Sequence, residues 1–306
     1  MNKFFKKTGM FLIGLIIIFV INWTINYLII ENSEINLETS EILIIGDSHL
    51  KRSVNPLLLK NGQNICQSSE PYVITYWKLK AVINTIKPDT VLIGFAPHNF
   101  SHFNDLKFSD KKWSYEMFER SYLIQKFQFL PDNSIDYNSY YTFLFKRFCL
   151  FPRMKHIYYI GGYTSSNKSN ISNSNKTIKR HYYYNNNIAS VSQLSINYLD
   201  SIINVCISNN IVPILVNTPV HNTYYSKIPK KIQKQYIIEM NKWNHKGIKV
   251  INNNPTLFPD TYFLNSDHLN NLGASHFTPT LMKLIRNNNY ILYPNRFIIV
   301  LIFFLK

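Results

Sequence analysis

Cysteine is scarce in this sequence, and clusters of metal-binding residues are missing from it. The chain of 306 residues has three cysteines, Cys66, Cys149 and Cys206, which lie far apart and form no Cys-x-x-Cys or Cys/His group. This spacing predicts neither a zinc site nor a disulfide framework. One disulfide between two of the three stays open if the domain lies outside the cytoplasm.

Acidic residues are also few, since 17 Asp and Glu stand against 33 Lys and Arg, for a net charge of +16. A basic chain favours nucleic acid, anionic lipid or anionic glycan as a partner. The cations are scattered here, with no basic helix or nucleic-acid motif, so we expect no nucleic-acid partner. Hydrophobic residues make up 46% of the chain, which is ample for one large globular domain.

The amino terminus carries a long run without any charge, residues 8–30. At about 1.5 Å per residue a helix of this length spans a hydrocarbon layer of ~30 Å. Lysines lie before the run and glutamates after it, so the positive-inside rule places the following residues outside the cytoplasm. We expect an uncleaved anchor at 1–30 and a polar linker at 31–40. A cleaved signal peptide is the alternative, although no small-x-small cleavage pattern precedes Glu31.

Short apolar runs then alternate with helical periodicity. Ile42–Ile45 predicts a buried strand, and Thr90–Gly94 another, with a helix over Tyr72–Ile86 between them. Alternation of this kind predicts an α/β fold with a parallel sheet and helices on both faces. The other predicted elements are helices at Ser53–Lys60, Ser192–Asn209 and Lys230–Trp243, and strands near Asn64, at Ile211–Val216 and at Ile248–Ile251.

Residues 105–190 interrupt this alternation. Aromatic-rich helices are expected within Lys112–Phe127 and Tyr137–Leu150, and the polar stretch Gly161–Lys176 predicts a mobile loop. Because the α/β pattern resumes afterwards, we interpret 105–190 as an insertion in one domain at 41–290. The tail, 291–306, ends in nine apolar residues that are too few to span a membrane. A terminal strand, an interfacial segment and a truncated reading frame stay open for it.

The first candidate site residue is Ser48, in Gly46-Asp-Ser-His49. A strand that ends at Gly46 places Ser48 on a turn at the carboxyl edge of the sheet, where α/β proteins bind their ligands. A helix starting there lends positive backbone character to developing negative charge. Ser48 is therefore a candidate nucleophile. The alternative is that Asp47 and Ser48 only cap a helix.

The second candidate is His268, which follows Asp267 in a polar segment just before the last predicted helix. From such a loop a histidine can reach Ser48 and act as its general base. A neighbouring acid would orient the ring and stabilise imidazolium. The alternative is a surface or helix-capping histidine.

Three blocks together resemble the SGNH/GDSL hydrolase superfamily: Gly46–His49, Asn99 after the middle strand, and the Asp-His-Leu-Asn-x-x-Gly-Ala stretch from Asp267. The likeness is greatest to membrane-anchored members of bacterial exopolysaccharide loci, some of them related to alginate-type O-acetyltransferases. It implies a flavodoxin-like three-layer α/β/α sandwich. It also implies Ser48 as nucleophile, His268 as base, and the Asn99 side chain and Ser48 backbone N–H as oxyanion donors.

The chain departs from this family at two positions. The acid usually stands three residues before the histidine, where this chain has Asn265, so Asp267 substitutes for it or the site works as a Ser-His dyad. The glycine of the second block has no match either. A backbone N–H of Ser68 or Ser69 would take its place as an oxyanion donor.

The expected function is a serine acyl esterase or O-acyltransferase, with O-acetyl as the expected group, acting on a cell-surface or exported polysaccharide. It would be anchored in the bacterial inner or plasma membrane, with its domain periplasmic or extracellular, and would meet a membrane-bound acyl donor. The resemblance implies no metal and no organic cofactor.

Two alternatives stay open. A catalytically inactive relative would bind glycan or assemble an export system through the aromatics of the insertion, and a membrane-anchored scaffold would need no glycan. The aromatics in question are Trp113, Tyr115, Phe118, Tyr122, Phe127 and Phe129.

Overall fold

The computed structural model describes residues 2–124, 130, 134–153, 155–156, 160–171, 174–253 and 258–286. The strands are β1 Ile42–Ile45, β2 Gly62–Asn64, β3 Thr90–Gly94, β4 Tyr183–Tyr184, β5 Asn187–Ile188, β6 Val212–Asn217, β7 Lys249–Asn252, β8 Phe263–Asn265 and β9 His268–Leu269. The α-helices are α1 Asn2–Glu31, α2 Ser48–Ser53, α3 Tyr72–Ile86, α4 Leu106–Ser109, α5 Ser114–Ser121, α6 Tyr137–Leu144, α7 Ser174–Tyr182, α8 Gln193–Ser208, α9 Asn222–Tyr225, α10 Lys230–His245 and α11 Asn271–Arg286.

The centre of the fold is a five-stranded parallel sheet in the order β2-β1-β3-β6-β7. One face packs on α3, α8 and α10, and the other on α2 and α11. Strand β1 is apolar throughout because it is covered on both faces: Leu43 and Ile45 face the first layer, and Ile44 the second. The predicted α/β fold with a parallel sheet and helices on both faces is confirmed.

This strand order has its switch point between β1 and β3, from which the chain proceeds to opposite edges of the sheet. In open α/β sheets the crevice at that point, beyond the carboxyl ends of the strands, is where ligands bind. Here the turn after β1 begins at Gly46, and the turn after β3 begins at Phe95. The fold therefore brings the segments around Ser48 and Asn99 to the same place.

The apolar helix α1 has 30 residues and contains a window of mean hydropathy 2.2, so its length and composition suffice to cross a membrane. The segment predicted as a polar linker is not free of the domain, because Ile35 and Leu37 pack against the main core. The division of the chain into anchor, linker, domain and tail stays a prediction, and residues 291–306 lie outside the described part of the chain.

The region after β1 differs from the prediction. The prediction of a helix at Ser53–Lys60 is wrong. Helix α2 begins at Ser48 and ends at Ser53, and a separate 3-10 turn occupies Pro56–Leu58. Asp47 caps the earlier start, and Pro56 disfavours helical backbone in the residue before it. Strand β2 also begins two residues earlier than expected, at Gly62.

The insertion is more ordered than its composition indicates. Tyr137–Leu150 divides into α6 and a π-helix over Phe145–Cys149. Phe118 is fully buried in an aromatic core beside Phe143, and so is not free to bind a ligand. Tyr115 and Tyr122 pack against the same core. The expected helix end at Phe127, and Phe129, lie outside the described residues.

The polar segment predicted as a mobile loop makes backbone hydrogen bonds near both ends of its described residues, 161–171. Gly162 N–H donates to Cys66 O (3.0 Å), and Asn170 N–H donates to Leu264 O (2.8 Å). Gly161 has a φ of +106°, and a Cβ there would lie 2.5 Å from Cys66 O. The segment has few apolar residues, but its backbone groups pair with the loops beside the candidate site.

Candidate active site

Ser48 is placed by the abrupt end of β1. Gly46 has a φ of +136°, and a Cβ on it would lie 3.1 Å from the backbone nitrogen of Gly94, so a side chain is excluded there. The chain then turns directly into α2, whose first residue is Ser48. Asp47 caps this helix by accepting a hydrogen bond from His49 N–H at 2.9 Å. Ser48 remains partly exposed, and its hydroxyl group can meet a ligand.

His268 reaches Ser48 from the opposite end of the chain. It begins strand β9, which pairs antiparallel with β8 next to the amino terminus of α11. Its Nε2 lies 2.8 Å from Ser48 Oγ. The last helix is held close to this hairpin, because a Cβ on Gly273 would lie 2.2 Å from Tyr262 O. Tight packing of α11 therefore helps to position the histidine.

Asn265 occupies the position next to the other ring nitrogen of His268. Its Oδ1 lies 3.1 Å from Nδ1 and also accepts from the backbone N–H groups of Asp267 (3.2 Å) and His268 (2.9 Å). Two backbone donors identify this atom as the amide oxygen, which can only accept. In neutral His268 the proton is therefore on Nδ1, and Nε2 accepts a hydrogen bond from the Ser48 hydroxyl.

Asp267 lies behind the ring and is 1% exposed. Its Oδ1 is 3.4 Å from His268 Nδ1, and its Oδ2 is 3.8 Å from His49 Nε2. Among the described residues neither oxygen has a hydrogen-bond partner of good geometry. Burial alone would raise the pKa of this carboxyl, but interactions with the neighbouring His268, His181 and His49 rings outweigh it and hold the pKa well below its usual range. Asp267 is thus a buried negative charge beside the histidine.

Asn99 stands in the turn after β3, close to Ser48 along the sheet edge. Its Oδ1 accepts from Ala96 N–H (2.8 Å), and its Nδ2 donates to Asp47 Oδ2 (2.9 Å). The same carboxylate oxygen is 2.6 Å from His98 Nε2. An amide nitrogen carries two hydrogens, so the bond to Asp47 leaves one for another acceptor.

Ser68 lies on the turn after β2, which is tied to the same edge by the bond from Gln67 N–H to Gly46 O (3.0 Å). Its carbonyl accepts a hydrogen bond from Arg120 at 3.0 Å. The next residue, Ser69, has a φ of +59°, a left-handed conformation in which glycine would be unstrained. The turn after β2 has no glycine, but it contains a residue in a glycine-like conformation, Ser69.

Three further histidines surround the site, and the sequence reasoning did not assign them a role. The ring of His98 lies 4.2 Å from that of His49 and 5.1 Å from that of His181. Burial lowers the pKa of His49 to about 3 and that of His181 well below its usual value, and the nearby His98 adds to both shifts. His49 and His98 each adjoin a candidate residue in the sequence. His181 comes from α7 of the insertion, and no sequence signal pointed to it.

Asp267, His49 and His268 together could hold a metal ion, since their ligand atoms lie within 4.8 Å of one another. Both ring nitrogens of His268 already have a partner, however, namely Ser48 Oγ and Asn265 Oδ1. An ion would have to displace one of these partners. The arrangement fits proton transfer between His268 and Ser48 better than it fits metal coordination.

Comparison with known proteins finds likeness at the level of structure. No protein-family model matches the chain, and no curated protein matches it. Solved structures similar to it include a lipase/acylhydrolase from Enterococcus faecalis (14% identity, 82% of this chain and 96% of that chain, TM-score 0.38). A GDSL-like lipase from Bacteroides thetaiotaomicron is also similar (11% identity, 80% of this chain and 87% of that chain, TM-score 0.40). So is a psychrotrophic esterase from Pseudoalteromonas sp. (12% identity, 80% of this chain and 96% of that chain, TM-score 0.39). At such identities the likeness concerns the fold alone.

Proposed function

We propose that the protein is a membrane-anchored serine acyl esterase or O-acyltransferase that acts on a cell-surface or exported polysaccharide. The observation that carries this proposal is the 2.8 Å contact between Ser48 Oγ and His268 Nε2. The tautomer set by Asn265 leaves Nε2 free to take the hydroxyl proton. A partly exposed hydroxyl with a base at this distance has the arrangement that an activated nucleophile requires.

In the proposed reaction His268 takes the proton from Ser48 while Oγ attacks the ester carbonyl carbon. The second N–H of Asn99 and the backbone N–H groups of Ser48 and Ser68 would stabilise the oxyanion, each contributing on the order of 3 kcal/mol. His268 then returns the proton to the leaving alcohol, and the C–O bond breaks to leave an acyl-enzyme. Water or a sugar hydroxyl takes the acyl group by the same steps in reverse.

The task of the usual acid is divided between two residues in this proposal. Asn265 orients the ring through Nδ1, and Asp267 supplies the negative charge that stabilises imidazolium from 3.4 Å. The Cys-His-Asn proteases show that an amide can hold a catalytic imidazole in the correct tautomer. A separate carboxylate then provides the charge that an amide lacks.

An open cleft of about 1010 Å³ lies beside α7, the helix that carries His181, although no candidate site residue lines it. Its lining is rich in amide and ammonium groups, which suit sugar hydroxyls or an anionic glycan. The lining residues are Asn175, Ile178, Lys179, Tyr183, Asn185, Asn186 and Lys227. Helix α1 supports a membrane anchor with the domain outside the cytoplasm, where a membrane-bound donor would supply the acyl group.

Fluorophosphonate labelling of the detergent-solubilised full chain tests the proposal, because the probe reacts with an activated serine whatever the acyl acceptor is. We expect the label on Ser48 by peptide mapping, and its loss in Ser48→Ala and His268→Ala. Ser226→Ala and His245→Gln are matched controls on the surface, and both should label like the wild type.

A folded protein that takes no label would overturn the proposal. The inactive, glycan-binding alternative would then be favoured. Circular dichroism and thermal melting of each variant establish that the chain tested is folded.

A further inference from the structure

We infer that an exposed aromatic stripe on α6, the π-helix and the segment directly after them lies in the membrane interface and holds the domain against the bilayer. The stripe consists of Tyr137, Tyr141, Phe145 and Phe151. The inference deepens the proposed membrane anchor and depends on it, because the stripe is placed by its contact with α1.

Helix α1 is joined to the insertion by two buried asparagines. Asn22 Nδ2 donates to Cys149 O at 2.8 Å and to Leu150 O at 3.1 Å, at the end of the π-helix. Asn26, which is 0% exposed, donates through Nδ2 to Phe148 O at 2.9 Å.

The oxygen of Asn26 is used as well, since Oδ1 accepts from Arg153 N–H at 3.0 Å and lies 3.0 Å from His156 Nε2. Side chains of α1 therefore satisfy the carbonyl groups that a helix leaves unpaired at its carboxyl end. A joint built in this way fixes the direction of α1 relative to the domain.

The stripe gives α6 a second apolar face. Its inner face buries Phe143 in the aromatic core of the insertion. On the outer side Tyr137, Tyr141 and Phe145 follow one another at intervals of four residues, and they are 40%, 61% and 43% exposed. A helix that is apolar on both sides needs an apolar environment on each of them. The aromatic core provides it on the inner side, whereas Tyr141 on the outer side stays 61% exposed.

The stripe is continuous with the candidate membrane span. The Phe145 ring packs edge-on against Phe19 of α1, with centroids 5.2 Å apart, and the Trp23 ring lies 5.0 Å from that of Phe148. If Lys6 and Lys7 extend their ammonium groups to the inner surface, a ~30 Å hydrocarbon layer counted from Phe4 at about 1.5 Å per residue ends within a turn of Trp23. The stripe thus meets α1 at the depth where aromatic side chains are enriched in membrane proteins.

Charge complementarity favours lipid as the occupant. Lys146, Arg153 and Lys155 are exposed on the same segment as the aromatics, and Phe151, the most exposed of these at 73%, lies between them. Aromatic groups with flanking cations are the composition that binds an anionic bilayer surface. A domain held in this way would present Ser48 at a constant height above the membrane.

The test uses the full chain in proteoliposomes of phosphatidylcholine and phosphatidylglycerol. An environment-sensitive fluorophore is attached at Tyr141→Cys or Phe151→Cys in a Cys149→Ala background, because the other two cysteines are buried. Leu57→Cys is the control, since Leu57 is 87% exposed on a turn that contacts α11. If the stripe is immersed by 5–10 Å, labels at 141 and 151 should lose more than about half of their fluorescence to spin-labelled lipid. The label at 57 should not change.

Equal quenching at 141 and 57, in protein that resists alkaline carbonate extraction, would overturn the inference and leave the anchor standing. Protein released by carbonate would overturn the anchor, and the inference with it. A label at 141 that responds to added polysaccharide but not to lipid would identify the stripe as a glycan-binding surface, which also overturns the inference.

Discussion

Replacing Asp267 with asparagine tests whether this buried carboxylate acts as the acid of the site. The change keeps the shape of the side chain and removes its charge. In the proposed mechanism His268 becomes imidazolium while Ser48 attacks, and Asp267 Oδ1 stands 3.4 Å from its Nδ1. The variant should therefore bind ligands normally and react slowly.

The size of the effect follows from that distance. At an effective dielectric constant of ~20, unit charges 3.4 Å apart interact by about 5 kcal/mol. Since about 1.4 kcal/mol corresponds to a factor of ten, the rate at which Ser48 reacts should fall by up to ~3000-fold. We expect a fall of about 1000-fold, because the amide dipole of the new asparagine retains part of the stabilisation. Asn265→Ala removes a neutral hydrogen-bond acceptor that contributes about 1–3 kcal/mol, so the rate at which Ser48 reacts should fall less, by ~10–100-fold.

The assay is the second-order rate of fluorophosphonate labelling of Ser48 between pH 5 and 9, which needs no knowledge of the substrate. The acid limb of the rate profile should move to lower pH in Asp267→Asn, because the positive ring has lost a negative neighbour. The double variant Asn265→Asp with Asp267→Asn returns a carboxylate to the ring and should recover most of the rate. Wild-type labelling rates in Asp267→Asn, with an unchanged profile, would refute the role of this charge.

Three further outcomes concern stability in detergent. Gly273→Ala should lower the free energy of unfolding by about 1–3 kcal/mol or more, because the added Cβ would lie 2.2 Å from Tyr262 O. An unchanged midpoint of urea unfolding would contradict this packing. Glu70→Gln breaks a fully buried ion pair with Lys78 and should lower the free energy of unfolding by about 3–5 kcal/mol. Glu116→Gln breaks an exposed ion pair and should lower it by less than about 1 kcal/mol. Similar melting temperatures for the two variants would refute this difference. The two buried site carboxylates have pKa values held well below the usual range, against burial, chiefly by neighbouring histidines. Their contribution to stability is complete above the unfolded-state pKa of ~4 and declines as pH falls further. His49 and His181, whose pKa values are lowered in the folded chain, reduce its stability as pH falls below the unfolded-state pKa of ~6.5, so urea midpoints should fall from pH 7 to 5 and further at pH 3.

Local patterns predicted much of the fold correctly. Helix α3 and strands β1 and β3 have the predicted ends, because four or five consecutive apolar residues bounded by glycine or polar residues allow few other interpretations. A helix that starts at the Ser48 turn was expected and is present as α2, but the separate helix expected at Ser53–Lys60 is not formed. A helix that begins directly at the end of a strand, with Asp47 as its cap, lacks the polar interval that usually marks a helix start.

The sequence by itself determined the two polar segments that meet at the candidate site and the strands that carry them. Residues 46–49 follow β1 of the parallel sheet, whose strands end at one edge, but residues 265–268 belong to the separate hairpin of β8 and β9. Patterning therefore placed Ser48 at the sheet edge, whereas the approach of His268 was expected from its position in a loop before the last helix and from the family resemblance.

Only the tertiary structure decided how the site is completed. It set Asn265 against the ring, left Asp267 buried beside it, and brought His181 in from the insertion. It also joined α1 to the π-helix through Asn26. These contacts link residues far apart in the chain, and their distances depend on how whole elements pack. Periodicity describes only which face of an element is buried, so it carries no information about such contacts.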